Sequence, residues 1–80
     1  MAKARQLITG ASYNPQELKV MMKAFDDAWA SIAQDYRSSL AVQAARLKLA
    51  NIVLNLAGEG VRDAADLMDR SVRVMRIDKP

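Results

Sequence analysis

LAVQAARLKLANIVLNLA, at residues 40–57, is an alanine- and leucine-rich stretch without glycine or proline, and Gly58 follows it. At about 100° per residue, its side chains do not divide into one apolar and one polar face. One broad apolar stripe consists of Val42, Ala45, Leu49, Ile52, Val53 and Leu56, and another side carries Leu40, Leu47 and Leu54. A helix that is apolar on two sides has to be covered on two sides, so this stretch is predicted to be the central helix of an all-α fold.

The composition excludes several kinds of site. The chain has 80 residues, which suits one domain, and it contains no cysteine and no histidine. Disulfides and thiolate metal sites are therefore excluded, and the commonest general base and metal ligand is missing. We expect a protein that is not an enzyme and that has no catalytic residues, no metal site and no cofactor. Oligomerisation is then the remaining way for so short a chain to gain buried area.

Charge and hydropathy predict a soluble, cytoplasmic protein. Twelve Lys and Arg residues against nine Asp and Glu residues give a net charge of +3, which does not by itself indicate a nucleic-acid binder. No apolar run exceeds three residues, as at residues 52–54, which is far short of a membrane span. The first residues are basic but lack the apolar core of a signal peptide.

The N-terminal segment, residues 1–12, lacks a sustained period and is predicted to be a flexible tail. The alternative is a basic arm, carrying Lys3 and Arg5, that touches an acidic partner. Residues 13–78 are predicted to form a single helical domain.

The first predicted helix covers residues 15–37. Asn14 is a suitable N-cap, Pro15 suits the first helical position, and Glu17 completes a variant of the capping box. The apolar side chains of this helix fall within roughly 140° of arc. They are Leu18, Met21, Met22, Phe25, Ala28, Trp29, Ile32, Ala33 and Tyr36.

The second helix is predicted at residues 39–57, after a break at Ser38 and Ser39. Serine satisfies free backbone N–H groups at a helix start, so paired serines favour a restart. One continuous helix is the alternative, because no Gly or Pro occurs between residues 16 and 57. Such a helix would be far longer than is usual in a globular domain. A short connection instead makes the two helices antiparallel neighbours.

The third helix is predicted at residues 64–77. Gly58 fits the left-handed position that follows a helix C-terminus, and Asp63 is a suitable cap for the next helix. Two ion pairs at i,i+4 spacing are expected to support the third helix. They join Asp66 to Arg70 and Asp69 to Arg73.

The predicted architecture is therefore three helices, an antiparallel hairpin plus a third helix, with a four-helix core formed by dimerisation. The third helix has a single apolar face and cannot cover everything that the central helix exposes. Soluble monomers generally avoid contiguous apolar patches, so a second copy is expected to cover the rest. The residues predicted for the dimer interface are Leu40, Leu47, Leu54, Trp29 and Tyr36.

Two polar groups are interpreted as solvent-facing. Asp26, Asp27 and Asp35 do not converge closely enough for catalysis or metal binding and are predicted to lie on a solvated face. Asn51 and Asn55 are predicted to form a narrow solvent-facing strip between two apolar seams. The alternative for the two asparagines is a polar contact that fixes the register of a partner.

Residues 44–74 can also be written as a helix, a glycine-containing turn and a helix. This pattern is typical of a helix-turn-helix motif, so the alternative function is a small DNA-associated regulator. Arg70, Arg73 and Arg76 would then be the candidate nucleic-acid contacts. The connection is somewhat long for that motif, and phosphates would repel the aspartates of the third helix. Nucleic acid is therefore not the expected partner.

The segments AFDDAWASIAQDY and AARLKLANIVLNLAGEGVRDAADLM resemble a group of small uncharacterised all-α proteins of alphaproteobacteria. The features that carry the resemblance are residues 26–29, 44–49 and 60–63, within about residues 25–68. The resemblance implies a bacterial, cytoplasmic source. No activity is known for the group, so no functional residue is carried over from it.

Taken together, these observations favour a non-enzymatic protein–protein interaction or regulatory module that acts as a helical homodimer. Its further partner is expected to be another protein.

Overall fold

A long helix near the middle of the chain is the element against which the others pack. The computed structural model describes residues 3–77, and within them it has four α-helices and no strand. The helices are α1 (Lys3–Thr9), α2 (Pro15–Ile32), α3 (Ser39–Gly58) and α4 (Ala64–Ile77). The all-α class is confirmed. The predicted number of three helices is wrong, because α1 lies in the segment that was expected to be a tail.

Helix α1 packs mainly against α3 and also against α2. It buries Ala4 and Ile8, which are four residues apart and therefore lie on one side of the helix. A helix this short is marginal in water on its own, so its stability comes from this docking. Residues 1 and 2 of the predicted tail, and residue 78 of the predicted domain, lie outside the described residues.

Replacing Ile8 should show how much the packing of α1 contributes to the stability of the fold. Ile8 is 0% exposed, so Ile8→Ala should lower the free energy of unfolding by about 2–5 kcal/mol, as measured in urea. Leu7, which is 39% exposed, provides the matched control, and Leu7→Ala should cost much less. A loss for Ile8→Ala as small as that expected for Leu7→Ala would contradict the burial of Ile8 in the core.

Helix α2 begins with the predicted capping box. The backbone N–H of Glu17 donates to Oδ1 of Asn14 at 2.8 Å, and the N–H of Asn14 donates to Oε1 of Glu17 at 3.2 Å. Pro15 occupies the first turn, where its missing N–H leaves no bond unmade. The predicted start of this helix is confirmed.

The cap generates a second prediction. Asn14→Ala should lower the free energy of unfolding by about 1 kcal/mol, because the backbone N–H of Glu17 loses its acceptor, the Oδ1 of Asn14. Urea denaturation of this variant is compared with that of Ser12→Ala, which changes an exposed serine before the cap. No loss in Asn14→Ala would contradict the assigned role.

Helix α2 ends earlier than residue 37, the predicted end. It stops at Ile32, and Ala33–Asp35 forms a 3-10 turn before the backbone becomes extended at Tyr36 (φ −122°, ψ 126°). In a continuous α-helix, Trp29 and Tyr36 would be separated by about 10.5 Å along the axis. The change of backbone brings their ring centroids to 5.8 Å, so an aromatic stack accompanies the shortened helix.

The predicted break between the two long helices is confirmed. Ser38 caps α3, since its Oγ accepts a hydrogen bond from the backbone N–H of Ala41 at 3.1 Å. The two helices run in opposite directions. The beginning of α2 meets the end of α3, where Glu17 pairs with Arg62, whereas Arg46, near the start of α3, contacts Trp29 late in α2.

Gly60, rather than Gly58 as predicted, takes the left-handed position after α3, with φ of 102°. Gly58 is the last residue of the helix. The N–H of Val61 donates to the carbonyl of Leu56, and the N–H of Gly60 donates to the carbonyl of Ala57, both at 3.1 Å. These two bonds make a Schellman motif, which satisfies carbonyls that the helix end leaves free.

Helix α4 has the predicted bounds and buries Leu67, Ser71, Val72 and Met75. Asp63 caps it, with Oδ2 accepting from the N–H of Asp66 at 3.0 Å. Helix α2 packs more extensively on α4 than on α3, its partner in the predicted hairpin, and α4 also packs on α3. Four helices of one chain thus contribute to the core, and the dimer stays a prediction.

Candidate interaction surface

Two aromatic side chains and one arginine form a stacked cluster between α2 and α3. The rings of Trp29 and Tyr36 have an interplanar angle of 20°. The guanidinium carbon of Arg46 lies 5.1 Å from the ring centroid of Phe25 and 5.4 Å from that of Trp29. Phe25 is buried, whereas the other three side chains are partly exposed. We call Trp29, Tyr36 and Arg46 the aromatic–arginine cluster.

Arg46 is held by ring faces alone. Among the described residues, its guanidinium has no hydrogen bond and no ion pair. A guanidinium carries five N–H donors in a planar fork, and stacking on a ring leaves the edge of that fork available for acceptors. The ring contacts orient this cation and partly remove it from water, which strengthens its interaction with a carboxylate.

The three leucines predicted for the dimer interface differ in exposure. Leu40 is 81% exposed, whereas Leu47 and Leu54 are partly buried against the core. Residues seven apart drift by about 20° per repeat on a straight α-helix. The row therefore turns from solvent towards the buried side of α3 as it runs from Leu40 to Leu54. We call these three residues the leucine seam.

The structure places the predicted interface residues in two groups. Trp29 and Tyr36 stack on each other and pack at the edge of the core, and Leu47 and Leu54 also touch the core. Leu40 does not belong to the core cluster.

The arginines considered for nucleic acid lie on the outer face of α4. Arg70 pairs with Asp66 at 3.0 Å, and Arg73 pairs with Asp69 at 3.1 Å, as predicted from their spacing. Arg76 is exposed in the last turn. Each paired arginine has a carboxylate beside it, so this face presents mixed charge to a phosphate backbone.

The three aspartates of α2 and of the 3-10 turn after it do not form a metal site. Asp26, Asp27 and Asp35 are all exposed, and Asp27 pairs with Lys23 at 3.4 Å. Within residues 3–77, no group of three acidic side chains is placed to hold a metal ion. On α3, Asn51 and Asn55 are exposed and form the predicted solvent-facing strip.

A cleft of about 190 Å³ lies where the start of α2 meets the end of α3 and the start of α4. Buried Met21, Ala57 and Leu67 are among its lining residues. The Glu17–Arg62 ion pair belongs to its wall. Because Glu17 also belongs to the capping box, this pair ties the α2 start to the α3–α4 turn.

By length and composition alone, α3 is apolar enough to cross a membrane, with a mean hydropathy of 1.2. A mostly buried core helix of a soluble protein meets the same criterion. Here 33% of the apolar stretch is buried, and α1, α2 and α4 all pack against α3.

No family model, curated protein or solved structure matches this chain. The assignment of a surface therefore rests on the geometry of its own residues.

Sequence reasoning did not single out Arg46. By the helical period, Arg46 falls beside Val53 at the edge of the apolar stripe of α3. A cation in an apolar stripe, opposite a helix with aromatics at i and i+4 such as Phe25 and Trp29, is a signal that would have found the cluster.

Ser71 is a polar residue that lies in the apolar core. It is 0% exposed, and its Oγ has no hydrogen-bond partner. A buried hydroxyl without a partner costs about 1–3 kcal/mol, so Ser71→Ala should raise the free energy of unfolding by roughly that order. Urea denaturation measures the change, and Ser31→Ala, at an exposed position of α2, is the control. A destabilised Ser71→Ala variant would show that the hydroxyl has a role in the folded protein.

Proposed function

We propose that the protein is a non-enzymatic interaction module that associates as a homodimer through the leucine seam. The observation that carries the proposal is the 81% exposure of Leu40 at the start of the most apolar helix. Burying a leucine side chain stabilises a contact by about 1.5–3 kcal/mol, so covering Leu40 would contribute favourably to the free energy of association.

A two-fold arrangement suits the seam because its residues recur every seven positions. Near-parallel packing of two helices uses that spacing, and a symmetric pair brings the same surface of both chains together. Leu47 and Leu54 are partly exposed beside Leu40 and would extend the contact along α3. Since α1 covers part of α3 within the chain, the proposed contact is narrower than a full helix face.

The absence of histidine and cysteine from the sequence supports a role other than catalysis. The alternative, a DNA-associated regulator using residues 44–74, has less support. Its candidate contacts Arg70 and Arg73 already pair with carboxylates on their own helix.

Leu40→Asp tests the dimer without disturbing the core. Sedimentation equilibrium at tens of micromolar, roughly ten times a 1 μM dissociation constant, should show a dimer for the unmodified 8.8 kDa chain and a monomer for Leu40→Asp. The charge should prevent association because a carboxylate would be buried in the interface.

Ile77→Asp is the matched control, because Ile77 is also 81% exposed but lies at the end of α4. This variant should remain dimeric. A monomeric unmodified chain would refute the homodimer, and a monomeric Ile77→Asp would place the interface on α4 instead of α3.

A further inference from the structure

We propose that the aromatic–arginine cluster is a docking site for a short acidic and apolar segment of another protein, with Arg46 receiving its carboxylate. The inference rests on the proposed role as an interaction module and names a partner for a surface between α2 and α3. The five N–H donors of Arg46 meet no acceptor among residues 3–77.

Within the described residues, this chain places no carboxylate on Arg46. Among residues 3–77, every acidic side chain except Glu59 already takes part in an interaction. Among its described residues, a second copy brings Glu59 as the one carboxylate without an interaction, and its other acidic side chains would have to share or exchange a partner to reach Arg46. Glu59 itself lies in the α3–α4 turn, at the far end of α3 from the cluster.

The surroundings of Arg46 indicate an apolar component in the ligand. Trp29 and Tyr36 offer partly exposed ring surface beside Arg46. Arg37, which directly follows Tyr36, is exposed and has no ion pair among the described residues, so it adds a second cation at the edge. Aromatic residues together with arginine are the side chains enriched at protein interfaces.

A single-stranded nucleic acid could also stack on Trp29 and contact Arg46. Asp26, Asp27 and Asp35 make it the weaker occupant, because they are exposed on the same part of α2 and its terminal turn. A continuous row of phosphates would meet these carboxylates, whereas a peptide with one or two acidic residues need not.

Trp29 makes the site directly observable, since it is the one tryptophan of the sequence. The probe is a short synthetic peptide with two glutamates placed among leucines and no aromatic residue. The comparison peptide has glutamine in place of each glutamate. Titration of the full chain, followed by Trp29 fluorescence, should show saturable binding of the acidic peptide at least about tenfold tighter than that of the amide peptide.

Arg46→Gln should remove this preference, because it retains a hydrogen-bonding side chain but not the charge. Arg46→Lys should keep part of it, since an ammonium provides the charge without the planar fork. Arg76→Gln is the control, because Arg76 also has no ion pair in the described chain but is exposed on α4, and this variant should bind as the unmodified protein does. Circular dichroism establishes that each variant is folded.

Equal binding of the two peptides, or no saturable change in Trp29 emission up to about 1 mM acidic peptide, would overturn the proposal. So would an unaltered preference in Arg46→Gln. If that variant is unfolded, Arg46→Met, which keeps a long side chain without the charge, replaces it, and an unaltered preference in Arg46→Met has the same consequence. Tighter, Arg46-dependent binding of a single-stranded oligonucleotide would assign the surface to nucleic acid instead.

The two proposals fail separately. A chain that sediments as a monomer but shows the Arg46-dependent preference refutes the homodimer and supports the docking site. A stable dimer that binds neither peptide supports the homodimer and refutes the docking site.

Discussion

Close packing around α3 depends on small side chains. Ala45, Ala50 and Ala57 are buried on this helix, and Ala24 and Ala28 are buried on α2. An alanine at a helix contact lets two backbones approach closely, so larger neighbours such as Leu49 can fill the space between them at the density of protein interiors. In a chain of 80 residues, this is how four helices share one core without disulfides.

The same packing explains why the sequence predicted some elements and missed others. The starts of α2, α3 and α4 depend on local hydrogen bonds by Asn14, Ser38 and Asp63, and such caps can be recognised from a few neighbouring residues. Helix α1 offers no comparable local signal. It has no acidic residue in its first turn and no basic residue in its last, and it depends on burial of Ala4 and Ile8 by helices distant in the sequence.

The end of α3 and the candidate surface also depend on tertiary packing that the sequence does not contain. Gly58 and Gly60 both suit a left-handed position, and the sequence alone does not say which of them α3 reaches before it turns. Likewise, the Trp29–Tyr36 stack needs the 3-10 turn at Ala33–Asp35, which shortens α2. The position of Arg46 over Phe25 depends on how α2 and α3 are aligned, and a helical period read along one helix does not contain that alignment.

The geometry of α3 limits how any partner can cover it. The leucine seam lies between the buried side of the helix and the solvent-facing strip of Asn51 and Asn55, so apolar contact is available only along a narrow line. Because the seam turns towards the core by about 20° per seven residues, exposure is concentrated at Leu40 and falls towards Leu54. The apolar surface that remains accessible therefore lies at the start of α3. An interface there gains most of its hydrophobic free energy near Leu40, and its specificity depends on the polar and aromatic groups around that end.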